Sequence, residues 1–123
     1  MKKGSLVAAA LGAGLLLSAV GAGAVSADNS VTGTYGGLTR ITVSYASSGN
    51  VLSVTDIRND GYGGRSFWST SPAGLTGIKD NSSGNGTTTT TEIPGSSGTV
   101  AFNSCVKNGS TTIACTSNVS SSL

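Results

Sequence analysis

The chain has 123 residues, with seven Lys or Arg, five Asp or Glu and no histidine. The missing histidine excludes Ser-His-Asp and Cys-His catalysis and imidazole-based metal sites. The formal charge of +2 comes from Lys2 and Lys3 alone. From Asp28 onward, Arg40, Arg58, Arg65, Lys79 and Lys107 balance Asp28, Asp56, Asp60, Asp80 and Glu92, so nothing electrostatic favours nucleic acid or anionic lipid.

Met1 to Ala27 reads as a secretory signal peptide. Lys2 and Lys3 form a basic start, Leu6 to Val20 is apolar and uncharged, and Val25-Ser26-Ala27 supplies small residues at the −3 and −1 positions. Cleavage after Ala27 is expected, leaving a single secreted domain from Asp28 to Leu123. An uncleaved anchor is the alternative, since the uncharged stretch reaches the roughly 20 residues a bilayer requires. Its Ala- and Gly-rich composition and its tripeptide end favour a peptidase. No later apolar run is long enough to hold the secreted chain in a membrane.

The secreted part has 96 residues, of which 56 are Ser, Thr, Gly or Asn. These residues favour strands and turns over helices. Val31 to Tyr35 reads as a short first strand. In Leu38 to Ala46, Ile41, Val43 and Tyr45 alternate with Arg40, Thr42 and Ser44, the period of a half-buried strand. Ser47 to Asn50 is a turn and Val51 to Ile57 returns, giving a β-hairpin.

Asp56 to Gly64 reads as a loop punctuated by glycine. Arg65 to Ser69 reads as a strand whose Phe67 and Trp68 point to opposite faces. Leu75 to Ile78, Thr87 to Ile93, Thr99 to Val106 and Thr111 to Val119 complete the set. The Thr run at 87–91 reads as a solvated strand of weak register. Short strands separated by turns, with no helical period, predict an all-β fold: a small antiparallel β-sandwich or barrel. Ile41, Val43, Leu52, Val54, Val100 and Phe102 are the expected core.

Cys105 and Cys115 are the only cysteines, and in an exported chain they are expected to pair. A two-residue turn at Asn108-Gly109 would set Lys107 against Ser110 and Cys105 against Thr112. A wider loop, with 105 facing 115, 106 facing 114 and 107 facing 113, would instead oppose the cysteines directly. The covalent constraint favours the wider loop over the turn propensity.

Asp56-Ile57-Arg58-Asn59-Asp60-Gly61 places Asp, Asp and Gly at positions 1, 5 and 6 of a calcium loop. Arg58 occupies an expected ligand position, and Phe67 stands where Glu is required. A helix–loop–helix calcium site is therefore rejected. A looser site using Asp56, Asp60 and carbonyls competes with a plain loop whose aspartates accept their own backbone N–H groups. No resident metal and no cofactor are expected. Sequons at Asn81, Asn85, Asn108 and Asn118 match the glycosylation pattern, as chance allows in so Asn- and Ser-rich a chain.

Val54-Thr55-Asp56, Asp60-Gly61-Tyr62-Gly63 and Phe67-Trp68, followed by Cys105 and Cys115, resemble the small secreted β-sandwich proteins of actinobacteria such as Streptomyces. The resemblance spans residues 38 to 116 and implies export and an all-β fold. It implies no activity and transfers no site residue. The Thr run departs from that pattern.

The sequence thus points to a secreted, non-enzymatic, monomeric binding module whose partner is an extracellular protein or polysaccharide. Asp56, Asp60, Tyr62, Arg65 and Trp68 are the candidate binding residues, because the 56–68 segment is the most chemically varied in the chain. A small inhibitor of an extracellular hydrolase, presenting Arg65, is one alternative. A carbohydrate-binding module using Trp68, Tyr62 or Tyr35 as stacking platforms is another.

Overall fold

The computed structural model describes residues 28–123. The expected signal peptide lies outside them. Ten strands run in order: β1 (Asn29–Tyr35), β2 (Leu38–Ala46), β3 (Val51–Asp56), β4 (Gly63–Ser71), β5 (Thr76–Asn81), β6 (Thr88–Glu92), β7 (Thr99–Phe102), β8 (Cys105–Asn108), β9 (Thr111–Cys115) and β10 (Val119–Ser122). There is no helix among the described residues.

The strands form two antiparallel sheets. One has the order β1-β2-β3-β6, and the other β10-β7-β4-β8-β9 with β5 on the free side of β4. In the first, Gly36 and Gly37, with φ of 64° and 79°, make the two-residue turn between β1 and β2. Val43 faces both Val31 and Val54 across its neighbours, so one alternating face of three strands becomes apolar together.

The second sheet is simpler than its strand count. Trp68 pairs with Phe102 and Arg65 with Cys105, so β7 and β8 hold one register against β4. They act as one strand interrupted at Asn103–Ser104. There side chains replace the ladder. Asn103 Oδ1 accepts from Phe67 N at 2.9 Å, and Ser66 Oγ donates to the Asn103 carbonyl at 2.6 Å. Ser104 Oγ donates to the Ile41 carbonyl of the other sheet at 2.8 Å, pinning the two layers together. On the far side, β9 pairs with β8 and β10 with β7. Each sheet is in effect four strands wide.

The core lies between the sheets. Ile41, Val43, Tyr45, Leu52, Val54, Val100, Phe102 and Val106 are all fully buried, and all six expected core residues are among them. Burial of this apolar surface is the main stabilising term.

The cysteines are bonded, with Cys105 directly opposite Cys115. Val106 faces Ala114 as the wider loop requires, but Lys107 faces Thr112 and Asn108 faces Thr111. This corrects the expected 107–113 pairing. A β-bulge at Ile113 absorbs one residue and allows a tight two-residue turn at Gly109-Ser110, with Gly109 at φ 62°. The covalent constraint prevails, and the Asn108-Gly109 turn gives way to one at Gly109-Ser110.

Candidate functional site

Four connections converge on one end of the sandwich: the β1–β2 turn, the crossing from β3 to β4, the β5–β6 loop and the β8–β9 turn. The last three surround an open depression of about 350 Å³, lined by Arg58, Asn59, Asp60, Tyr62, Asn85 and Lys107 among others. The other end is closed by Asn50, held at φ 54°. Its Oδ1 accepts from the Tyr45 hydroxyl at 2.9 Å, and its Nδ2 donates to the Gly95 carbonyl at 2.7 Å.

The residue that organises the open end is Arg40. Gly33 pairs with Ile41 and Thr34 with Thr39, so Arg40 is the extra residue of a β-bulge. A bulge re-aims the side chain it carries. Here the guanidinium turns over the end of the sandwich and is only 8% exposed. Its Nε donates to the Tyr35 carbonyl at 2.9 Å, and its Nη1 pairs with Asp60. The cation lies 4.9 Å from the Tyr62 ring centroid, and Tyr35 meets Tyr62 edge-on at 5.7 Å. Asp60 also accepts from Tyr62 N at 2.9 Å, so both of its oxygens are engaged. Asp60 and Tyr62 are thus brought together, but by a cation that strand alternation assigned to a polar face.

Asp56 sits beneath this assembly, opposite Ile41 on the core side of β3 and 2% exposed. Its Oδ1 accepts from Arg58 N at 3.0 Å. Burial pushes its carboxyl above the ordinary carboxylate value, despite that hydrogen bond, and the nearby Asp60 charge adds to the rise. Asp56 and Asp60 are each turned back on their own loop, as the plain-loop alternative expects. Among the described residues no three acidic or cysteine side chains cluster to hold a metal.

Arg65 and Trp68 lie apart from the depression. Arg65 faces Asp80 across β4 and β5 and forms a bidentate pair with it, Nε to Oδ1 at 2.6 Å and Nη2 to Oδ2 at 2.9 Å. Its Nη1 donates to the Ser110 carbonyl and to Thr112 Oγ1. The Arg65 fork therefore holds the Asp80 carboxyl below its ordinary value. Trp68 packs against the core, and its indole lies over Gly77 on the adjacent strand. A Cβ on Gly77 would collide with the ring. One face of the best stacking platform is already used.

Beside it, Phe67 and Ile78 are directly opposed and exposed on the outer face of the second sheet. They border a shallow, apolar recess of about 600 Å³. It carries no ionised group.

The residues that sequence reasoning missed are Arg40, Arg58, Asn59, Asn85 and Lys107. Lys107, on β8, is 5% exposed. Its stem runs across Gly63, where an added Cβ would lie 3.2 Å from Cε, and its Nζ donates to Ser82 Oγ at 2.5 Å and the Gly109 carbonyl at 3.0 Å. Strand alternation gives no warning that a lysine is buried, because its neighbours on β8 are buried on either face. The Asn81 sequon is closed to modification: its side chain is fully buried and bonded to Val54, Ser83 and Thr87.

What the fold and site define is an all-β, two-sheet, disulfide-bonded domain with a polar depression at one end. No family model, curated protein or solved structure matches this chain.

Proposed function

We propose that this is a secreted, non-enzymatic binding module that takes an extracellular polysaccharide in the depression at the open end of the sandwich. Export rests on the signal-like first 27 residues, and the Cys105–Cys115 bond is consistent with an oxidising destination. The observation that carries the binding reading is the contrast between the two ends. One end satisfies its polar groups internally. The other brings three connections around an open recess whose exposed amides, Asn59 and Asn85, make no side-chain hydrogen bond among the described residues. Loops on a rigid scaffold are where binding residues concentrate. Against catalysis stand the missing histidine and the internal hydrogen bonds of Asp56 and Asp60.

The test uses Asn59→Ala and Asn85→Ala together. Neither side chain supports the fold, so the Tm should hold while retention on a binding polysaccharide in affinity electrophoresis falls. Retention unchanged by the double variant would remove the depression as the site. The hydrolase-inhibitor alternative has the exposed Phe67–Ile78 pair in its favour, but Arg65, which it would present, is committed to Asp80, Ser110 and Thr112.

A further inference from the structure

We infer that the depression binds an acidic sugar unit, with the sugar's carboxylate held between Lys107 and Arg58. The inference rests on the polysaccharide reading above and names the ligand's chemistry. Lys107 is nine-tenths buried yet is in direct contact with no carboxylate among the described residues, Asp80 acting on it only at longer range. The two ion pairs among the described residues are Arg40–Asp60 and Arg65–Asp80. Its two hydrogen bonds go to neutral oxygens, a hydroxyl and a carbonyl, which leaves its third proton unassigned. A buried ammonium with no counter-charge in contact is costly, and a ligand anion at the mouth would offset that cost.

Arg58 stands on the same lining. Its Nε is anchored to the Thr39 carbonyl at 3.0 Å, while its terminal nitrogens make no bond among the described residues. An anchored guanidinium with its fork unoccupied suits a carboxylate.

The acids that share the lining do not cancel these cations. Asp60 is already neutralised by Arg40. Asp56 is 2% exposed, is turned onto Arg58 N and forms an ion pair with neither cation. The remaining lining is amide, hydroxyl, glycine backbone and the Tyr62 ring, partners that suit sugar hydroxyls and the face of a sugar ring. The chain from Asp28 onward has no net charge, so attraction to a polyanion must come from a local arrangement such as this one.

The experiment is affinity electrophoresis of the secreted chain in gels containing polygalacturonate, its fully methyl-esterified form, or neutral dextran. Retardation is expected with the free acid, about tenfold weaker with the ester, and absent with dextran. Arg58→Gln should weaken binding to the free acid about tenfold with the Tm unchanged. Lys107→Met keeps the stem on Gly63 and should also lose retention. If it misfolds, Arg58→Gln alone decides. Lys79→Gln removes a cation outside the depression and should change nothing.

Equal retardation by acid and ester would overturn the carboxylate assignment and leave the binding-module reading standing. So would an unaffected Arg58→Gln, or a Lys79→Gln loss as large as the Arg58→Gln loss. No retardation by any of the three polymers would overturn the inference, and no response across a wider panel of neutral polysaccharides would remove the reading beneath it.

Discussion

Arg65 shows how a residue's chemistry and its role can part company. An arginine flanked by aromatics in a varied segment reads from sequence as a group offered to a partner. In the folded chain its donors reach Asp80, Ser110 and Thr112, tying β4 to β5 and to the β8–β9 turn. The directly opposed Asp80 lies 15 residues away along the chain, and only the strand register reveals it. Arg65→Ala should therefore lower stability by about 1–2 kcal/mol, more than an isolated surface pair gives, because two oxygens are held at once. Arg65→Lys should recover little of it, since a point charge cannot copy the fork. Chemical denaturation of the three proteins checks this. An Arg65→Ala midpoint equal to wild type would mean that the pair contributes nothing. Arg40 was illegible for a related reason. Alternation assigned it to the solvent face, and the bulge that redirects it leaves no mark in the sequence beyond the glycines nearby.

At the level of elements, the sequence was most readable where alternation was strict. The strand from Leu38 to Ala46 ends where its pattern ends, and the turn at Ser47 to Asn50 follows directly. Reading failed where a strand breaks without losing register. Asn103 and Ser104 have ordinary strand neighbours, and nothing in their spacing shows that one side chain replaces the ladder while the other crosses to the opposite sheet. The disulfide bonds β8 to β9 at directly opposed residues. Closing a loop with a sequence separation of 10 contributes about 2–3 kcal/mol by chain entropy. Replacing both cysteines with Ala should lower unfolding stability by about 2–4 kcal/mol, read from urea midpoints at constant m. A loss of a few tenths would show that the ladder alone sets the register.

Trp68 on Gly77 offers a second check at this scale. Trp68 is the only tryptophan, so its fluorescence reports on one site. Gly77→Ala places a Cβ where the ring now lies, and the indole must leave the strand surface. A red-shifted emission and a lower Tm are expected. Unchanged emission would mean that the ring does not cover Gly77.

At the scale of the whole molecule, two carboxylates act in opposite directions on stability, and the missing histidine leaves the neutral range free of side-chain titration to obscure them. Asp80 has a folded-state pKa below its ordinary value of 3.8, chiefly through its hydrogen bonds to Arg65. Its contribution is present above that ordinary value and is lost as pH falls through the lowered one. Asp56 has a folded-state pKa above 3.8, chiefly through desolvation. Its contribution is greatest below the ordinary value and is lost as pH rises through the raised one. On acidification from pH 7, Asp56 protonates first and stability should rise. Stability should then fall as Asp80 protonates.

The Tm of the wild type should therefore pass through a maximum on the acidic side of neutrality. Asp56→Asn keeps an oxygen to accept from Arg58 N and removes the buried charge. It should raise the Tm at pH 7. It should also flatten the rising limb. Asp80→Asn should lower the Tm at pH 7 and flatten the falling limb instead. A wild-type Tm that only declines from pH 7 downward, unchanged in shape by Asp56→Asn, would mean that Asp56 is ionised at no cost. Some cation would then have to be compensating that carboxylate, and the cations nearest to it are those of the depression. Arg58 would be its partner in the folded chain and would no longer be free to hold the carboxylate of a sugar.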